Sequence, residues 1–526
     1  MRFRMNLKRS CAAFLALSSG SVLSILVGSL AGFGCNPMIA SAAEVPHDSQ
    51  SHRHGGVEKP RIAIIGGGVG GTSAAYFLRK LLGSSASIDL YEPHVIGGRV
   101  ATVNIAGRDY ESGGSIIHPK NKYMVDFRQE FGLKERAKHD RPAGFYNGEE
   151  FVFTESNWAV ITMLRLLWRY GLDCFYIYRH VDTMLTAFSR IYQLQDEGQA
   201  FDSPADMLRA MGGDEFVEWT HAPLQQVLKQ QGFSDRFINE VASVAMRNNY
   251  GQSINMTAFA GMVSLAGVQP GLWAVQGGNK LIPEALLNSS QALWHHAKVS
   301  SVKNTTKGGE TTFKVTAVGP DPNQVSTAEY DVVIVATPLT PGVGSKIEFQ
   351  GFTPSIGLFG GRYQRTVATF IHGQTDPEAF GKKRDEFLPD VETTRNISLE
   401  IRTLAQNSPV DTTQGEQKTK DASAAVYKIF SGDQLSEKQI QTLFVSHDSE
   451  EVVDWLAYPH YTVDDSLPPF VLSEGLYYIN GIEWAASAME MSVIGARNVA
   501  LLVGKHWQRT KSPAKIPSEK PMNGEL

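Results

Sequence analysis

Gly66-x-Gly68-x-x-Gly71 lies in the run RIAIIGGGVGGTSAAYFLRK, Arg61 to Lys80, where a short apolar strand would hand over to a helix. That spacing suits a pyrophosphate. The first glycine permits a tight turn, the second lets the backbone approach the phosphates, and the third lets the helix pack close to the strand. Gly70 belongs to the same turn, and the helix start offers N–H donors and a partial positive charge to the anion. The next apolar run, SIDLYE, ends in Glu92, 21 residues beyond Gly71. A carboxylate at that distance accepts hydrogen bonds from ribose hydroxyls, so knot and acid together predict a dinucleotide site.

Which dinucleotide follows from the residues after the acid. In PHVIGGRVATV, Gly97-Gly98-Arg99 resembles the second glycine motif of the amine-oxidase-like FAD family, in which the arginine approaches the FAD phosphates. YESGGSIIHP supplies Gly113, Gly114 and Ser115 where such folds approach the flavin, and Val299 resembles the valine whose backbone meets the adenine. At the far end of the chain, Gly481 and Glu483 in NGIEWAASAME resemble the strand end whose acid meets the ribityl chain. The helix start at Ser487, Ala488 and Met489 would aim N–H groups at the flavin pyrimidine, a dipole that favours an anionic reduced flavin. No cysteine follows Cys174, so the FAD is expected to be non-covalent.

The elements that must position these residues read as an α/β architecture. An FAD-binding, Rossmann-like domain of the amine-oxidase type is interleaved with a second, α+β substrate domain. The expected division is a leader at 1–42, a linker at 43–60, the first FAD-binding part at 61–120 and a mainly helical substrate part at 121–270. A second FAD-binding part follows at 271–345, a second substrate part at 346–470, the last FAD-binding part at 471–505 and a polar tail at 506–526. SIDLYEP alternates as a parallel strand, YDVVIVATPL reads as a buried one, and AKVSSVKNTT with TTFKVTAV as a strand pair. GFYNGEEFVF is expected to be a hairpin with an Asn147-Gly148 type I′ turn. Ser156 to about Gln193 is helical in pattern and greasy on more than one face, which fits a buried helix pair or the wall of an apolar substrate cavity. The polar run Asp411–Ser423 reads as a loop.

GGTSAAYFLRK, GGSIIHP, ESNW, WRYG, NYGQS, LWAVQGGNKL, VATPL, WLAYPHY and YYINGIEWAASAMEMS closely resemble, in order, the prenylcysteine oxidase family, called farnesylcysteine lyase in plants. The blocks span roughly Pro60 to Gly504. The resemblance implies an FAD-dependent oxidase of secretory or lysosomal compartments. It would act on S-farnesyl- or S-geranylgeranyl-cysteine and, with O2 and water, yield a prenyl aldehyde, cysteine and hydrogen peroxide. Such chemistry asks for placement and a dry pocket more than for a strong base. His118, a few residues past the glycine pair, could assist water addition or only stabilise a turn. Tyr458 is the other candidate close to the reacting atoms. Arg247 and Tyr250 in RNNYGQS are candidates for the amino-acid head, because arginine can hold a carboxylate with two bonds; pairing of Arg247 with a structural acid is the alternative. Asn279 and Tyr461 are expected on the flavin's substrate side, and Trp158 and Trp168 along an apolar slot for the prenyl tail. Two other readings share the flavin motifs: a flavin amine oxidase, and a non-redox prenyl-binding chaperone of the escort type.

Composition is consistent with a globular chain: 526 residues, 42% apolar and 20% charged. The first 42 residues combine Arg2, Arg4, Lys8 and Arg9, an apolar run to Gly34 and the small-residue site Ala40-Ser41-Ala42, the anatomy of a secretory signal peptide. An uncleaved anchor and a transit peptide are alternatives. Cleavage removes four of the 49 basic residues and none of the 54 acidic ones, taking the net charge from −5 to −9. That argues against nucleic acid and a generally basic membrane face, and leaves peripheral membrane contact open. Of Cys11, Cys35 and Cys174, only Cys174 would remain, read as a buried thiol; no cysteine pair is left for a disulfide or zinc. His52-Arg53-His54 reads as solvated linker. Sequons at Asn255, Asn288, Asn304 and Asn396 gain meaning only with the leader. The destination expected is lysosome or vacuole, with secretion an alternative.

Overall fold

Continuous β-branched runs such as RIAII and VVIV are what a strand buried on both faces requires. In the computed structural model they lie side by side. Arg61–Ile65 runs parallel to Ser87–Tyr91 on one side and to Val332–Val335 on the other. Leu293–His295, Leu476–Tyr478 and the antiparallel Val471–Ser473 complete a six-stranded sheet. The structure describes residues 59–137, 141–305, 311–344, 346–413 and 424–511. All of these except Trp158–Val160 belong to one folded unit. The leader, the linker to residue 58, the tail beyond 511 and most of the Asp411–Ser423 loop lie outside the described residues.

Alternation along the central strands builds two cores. Ile62, Ile64, Val332 and Ile334 point to one face, with Ala74 and Leu78 of the helix Val69–Leu82 and Val499 of the helix Met489–Lys511. Ala63, Ile65, Val333 and Val335 point to the other, against Phe313, Val315 and Ala317. Those three lie in a four-stranded sheet that contains the expected antiparallel pair Lys298–Asn304 and Phe313–Val318. Chain from both ends thus converges on the carboxyl edge of one parallel sheet, where such folds bind ligands.

A second sheet of seven strands runs in the order Phe444–Pro459, Tyr363–Thr375, Ala425–Ser431, Ile401–Gln406, Asp390–Thr393, Ala143–Tyr146 and Phe151–Thr154. Only Asp390–Thr393 with Ala143–Tyr146 is parallel. Ala368, Phe370 and Val426 of this sheet pack on Ile105 and Tyr110 of the hairpin Thr102–Ile105/Arg108–Glu111, which leads directly into Gly113. The sheet therefore roofs the second glycine pair.

Two local expectations change. The Asn147-Gly148 hairpin closes through the four residues Asn147–Glu150 rather than a two-residue turn. A type I′ turn needs positive φ at both central residues, and of these only Gly148 has it, at 101°. Asn147 instead accepts the Glu149 and Glu150 N–H groups with its side chain, both at 2.9 Å. The greasy stretch forms the expected helices Ala159–Tyr170, Asp173–Phe188 and Arg190–Asp196, but the first is not buried. Tyr170 is its one buried residue, while Leu164 and Trp168 are 57% and 88% exposed. Glu240 explains the orientation. It takes two bonds from Arg169, at 2.6 and 2.8 Å, and one from the Tyr170 hydroxyl at 2.9 Å, which fixes the inward side of the helix.

Candidate functional site

The first glycine turn is tightly determined. Gly66 has φ of +114°, and a Cβ there would lie 2.8 Å from the Ala336 carbonyl oxygen. A Cβ on Gly71 would sit 1.9 Å from the Gly66 oxygen, so only glycine lets the helix start this close to the strand. On Gly68 the nearest atom to a Cβ is 3.9 Å away, which leaves that side of the loop open to a ligand. Glu92 reaches back across the turn: Oε2 accepts the Gly67 N–H at 3.0 Å and Oε1 the His94 N–H at 3.0 Å. The Gly97 N–H donates to the Gly67 oxygen at 2.9 Å, so the two glycine turns are joined. Val299 is buried in the neighbouring sheet.

The C-terminal residues arrive at the same place. Arg99 donates through Nη1 to the Ala457 carbonyl at 2.8 Å and pairs through Nη2 with Glu483. The Tyr363 hydroxyl donates to the other Glu483 oxygen at 2.7 Å. Burial alone would pull the Arg99 guanidinium down; Glu483 and Tyr363 outweigh it and raise it. Gly481 lies buried two residues before Glu483. A Cβ on Gly113 would be 1.9 Å from the Arg99 oxygen and 2.7 Å from Trp455, and one on Gly114 would be 3.6 Å from the Met489 side chain. Ser115 follows, half-buried. These residues fit FAD: an open glycine loop at a helix start, an acid beside it for the ribose, and an arginine and a second acid brought to the far glycine pair.

Three tyrosines stand against the start of the last helix. Tyr250 meets Tyr458 and Tyr461 edge-on, with ring centroids 5.1 and 5.3 Å apart. The Tyr250 hydroxyl donates to the Ser487 carbonyl at 2.8 Å, and the Tyr461 hydroxyl donates to the Glu483 carbonyl at 3.1 Å. The Ser487 N–H donates to the Tyr461 hydroxyl at 2.7 Å, so it is spent on protein, unlike the expectation that it faces the flavin. Burial raises all three phenols, which keeps them protonated at neutral pH.

Other expected residues are placed elsewhere or differently. His118 has both ring nitrogens engaged, Nδ1 accepting the Lys120 N–H at 3.1 Å and Nε2 bonded to Gln269 at 3.1 Å, which is the turn-holding alternative. Asn279 is fully buried and does not line a substrate surface. Its N–H donates to Glu111, its Nδ2 donates to the Gly114 carbonyl at 2.9 Å, and its Oδ1 accepts the Val275 N–H, so it braces the Gly113-Gly114 turn. Arg247 forms no ion pair with an acid among the described residues; it is held by Thr393, Asn396 and the Ile401 carbonyl. Trp158 and Trp168 are 73% and 88% exposed and do not form an interior slot. Cys174 is half-buried, its thiol pushed up to about 12 by burial and then by Asp173. Asn255, Asn288 and Asn396 are exposed and Asn304 is half-buried. No group of residues fit to hold a metal occurs among the described residues.

Two basic residues escaped the sequence reading. Lys428 is buried beneath the roof sheet and donates to the Glu111 carbonyl at 2.9 Å. Burial pushes its amine down to about 8, against the pull of Glu111. Arg402, 8% exposed, lies where a Cβ on Gly251 would be 2.2 Å from its Nη1. The sequence signal for Lys428 was parity: it alternates in step with apolar Val426 and Phe430.

Known proteins agree with this arrangement. The family model described as Prenylcysteine lyase matches residues 153–515, and one described as NAD(P)-binding Rossmann-like domain matches residues 64–131. Prenylcysteine oxidase 1 of Bos taurus is 42% identical over 452 residues, 85% of this chain and 89% of that protein. The Homo sapiens protein of the same name is 41% identical with the same coverage. Prenylcysteine oxidase 1-like of Mus musculus is 36% identical, covering 85% of this chain and 90% of that protein. Among solved structures, a triple mutant of putrescine oxidase aligns with TM-score 0.54 at 16% identity, over 85% of this chain and 99% of that one. Cyclohexylamine oxidase from Brevibacterium oxydans aligns at 0.53 and 13%, over 86% and 100%. At such identities these two show the fold alone.

Proposed function

The chain belongs to the prenylcysteine lyase family, and from that premise we propose that it is an FAD-dependent oxidase that cleaves S-prenyl-L-cysteine in the breakdown of prenylated proteins. The observation that carries this is the family match over residues 153–515, the part that holds most of the roof sheet and the tyrosines, on a chain whose dinucleotide cradle is complete. When bound, FAD supplies the two-electron acceptor for the C–H bond beside sulfur. Oxygen then takes the electrons to hydrogen peroxide, and water added at that carbon releases prenyl aldehyde and free cysteine.

The protein's own residues supply position and dryness. Glu92 and the helix start at Val69 would bind and orient the nucleotide half of the FAD. Arg99 and Glu483, tied to the roof strand through Ala457 and Tyr363, orient the other half. Trp455 and Met489 flank the Gly113-Gly114 turn. Tyr250, Tyr458 and Tyr461 form an aromatic wall in which the Tyr250 and Tyr461 hydroxyls hold the Glu483–Ser487 backbone and the Tyr458 hydroxyl bonds Thr366. The three phenols stay protonated at neutral pH and so take no proton, in keeping with an allylic thioether whose oxidation leaves a sulfur-stabilised cation rather than a carbanion.

Farnesyl- and geranylgeranyl-cysteine both remain candidate substrates. Residence in the secretory pathway, in lysosome or vacuole, is supported by the signal-like residues 1–42 and the exposed sequons. Peripheral membrane contact is supported by Ile161, Leu164 and Trp168, which sit at three- and four-residue spacing and are all exposed.

The test sets farnesylcysteine beside a polyamine and N-acetylfarnesylcysteine, reading peroxide, aldehyde and flavin bleaching. The proposal expects all three signals with farnesylcysteine and much slower turnover of the acylated analogue. Colourless protein, or turnover of the polyamine alone, overturns it.

A further inference from the structure

Arg402 is an interior cation in want of an anion. It extends from the roof strand Ile401–Gln406, is 8% exposed, and donates through Nη1 to the Thr366 hydroxyl at 3.3 Å. No ion pair joins it to a carboxylate among the described residues. Arg247 lies on the same cavity, of about 670 Å³, and is likewise held only by neutral acceptors. Burial lowers both guanidiniums, and the charge of Arg402 helps push Arg247 down to about 10. Two like charges facing one cavity, Arg402 buried and Arg247 half-buried, are unfavourable unless an anion joins them, and exposed Asp433 only partly offsets the burial of Arg402. Arginine's planar fork suits a carboxylate, which it can hold with two parallel bonds.

The cavity is linked to the tyrosine wall through its lining residues. The Thr366 hydroxyl that accepts from Arg402 is bonded to the Tyr458 hydroxyl at 3.2 Å. Gly251 and Gln252, which line the cavity, directly follow Tyr250, and Gln252 accepts the Tyr461 N–H at 2.8 Å. Glu400 and Asp433 line the same cavity, the sign that an ammonium group would require.

We propose that this cavity is the amino-acid subsite and that Arg402, with Arg247 behind it, binds the α-carboxylate of the thioether substrate. This rests on the function proposed above. It also explains why a cationic site lies beside a wall of aromatic rings: a free prenylcysteine carries its carboxylate only a few bonds from the sulfur.

The test uses the yellow holoenzyme and S-decyl-L-cysteine, a saturated thioether that lacks the allylic C–H bond. Its binding and that of its methyl ester are measured by calorimetry on wild type, Arg402→Met and Arg402→Lys. Wild type should prefer the acid by about 10- to 100-fold, the range for charge-assisted hydrogen bonds. Arg402→Met should lose that preference by weakening the acid while leaving the ester unchanged, and Arg402→Lys should fall between. The same collapse should appear in KM for farnesylcysteine against its methyl ester. Wild type without a preference, or Arg402→Met weakening acid and ester equally, overturns the assignment. If Arg402→Met does not fold with flavin, Arg402→Lys decides by the same ratio. Failure of wild type to oxidise farnesylcysteine at all would strike the proposed activity instead, and the acid-to-ester binding ratio would still report on Arg402.

Discussion

Breaking the Arg99–Glu483 pair should cost very different amounts depending on which partner is removed. The Glu483 side chain is 2% exposed and that of Arg99 33%. Arg99→Met leaves a carboxylate inside the protein with only the Tyr363 hydroxyl as partner. Stranding a buried charge in this way costs about 3–5 kcal/mol. Glu483→Gln leaves a guanidinium that still donates to the Ala457 carbonyl and still reaches water, while the new amide accepts from Tyr363; the loss should be about 1 kcal/mol. The double mutant carries neither charge and should lose about 2 kcal/mol, well short of the sum of the singles, because removing Glu483 abolishes the penalty for losing Arg99. Urea unfolding of all four proteins at one excess concentration of FAD, followed by far-UV circular dichroism, gives the cycle. Equal losses for the two single mutants, or additivity within about 0.5 kcal/mol, would refute the reasoning from burial.

The flavin should leave with the supernatant after acid precipitation, since no cysteine follows Cys174 to form a thioether; colour in the pellet would show a covalent bond. Lys428 should make stability rise with pH above neutrality. Its amine titrates at about 8 in the fold against 10.5 when unperturbed, so the native state binds fewer protons across that window. Its contribution is present above the upper value and lost as pH falls through the lower, an upper limit of about 3 kcal/mol; Lys428→Met should remove that part of the slope in urea titrations between pH 7 and 10. Leu164→Glu combined with Trp168→Glu should abolish co-flotation with lipid vesicles without changing the melting temperature, and absence of flotation by the wild type would reject the membrane contact.

What the sequence revealed and concealed follows from how local each requirement is. Gly66, Gly68, Gly71 and Glu92 were legible because a tight turn, a close helix and an acid one strand later are demanded within a single βαβ unit. Arg99 and Glu483 were legible only as separate motifs 384 positions apart, and their direct pairing appeared with the fold. Asn279 was expected on the flavin's substrate side; its partners in the fold, Glu111 and Gly114, are reached only when two loops pack. Arg402 and Lys428 each stand alone in an apolar strand, where a basic residue reads as an exposed edge. They become interior only once seven strands close into a roof. Trp168 failed in the opposite direction: aromatic content suggested burial, but Glu240 turns the other face of that helix inward.

The distribution of protonation across the site bears on how such an oxidase can work over a range of pH. Tyr250, Tyr458 and Tyr461 are raised by burial and stay neutral. His460, which lines the cavity, is lowered by burial and bonds Gln364, so it too is neutral at pH 7. Glu483 is matched by Arg99, and Arg402 stays cationic even after burial, since its lowering starts from 12.5. The tyrosine wall is therefore uncharged, with the Arg99–Glu483 pair on its cofactor side and Arg402 toward the proposed amino-acid subsite. A proton-abstracting enzyme needs a group near its operating pH at the reacting carbon. This site supplies neutral aromatic walls there and holds its charges at the anchoring points, the arrangement expected when catalysis consists of fixing an allylic thioether in place and keeping bulk water from it.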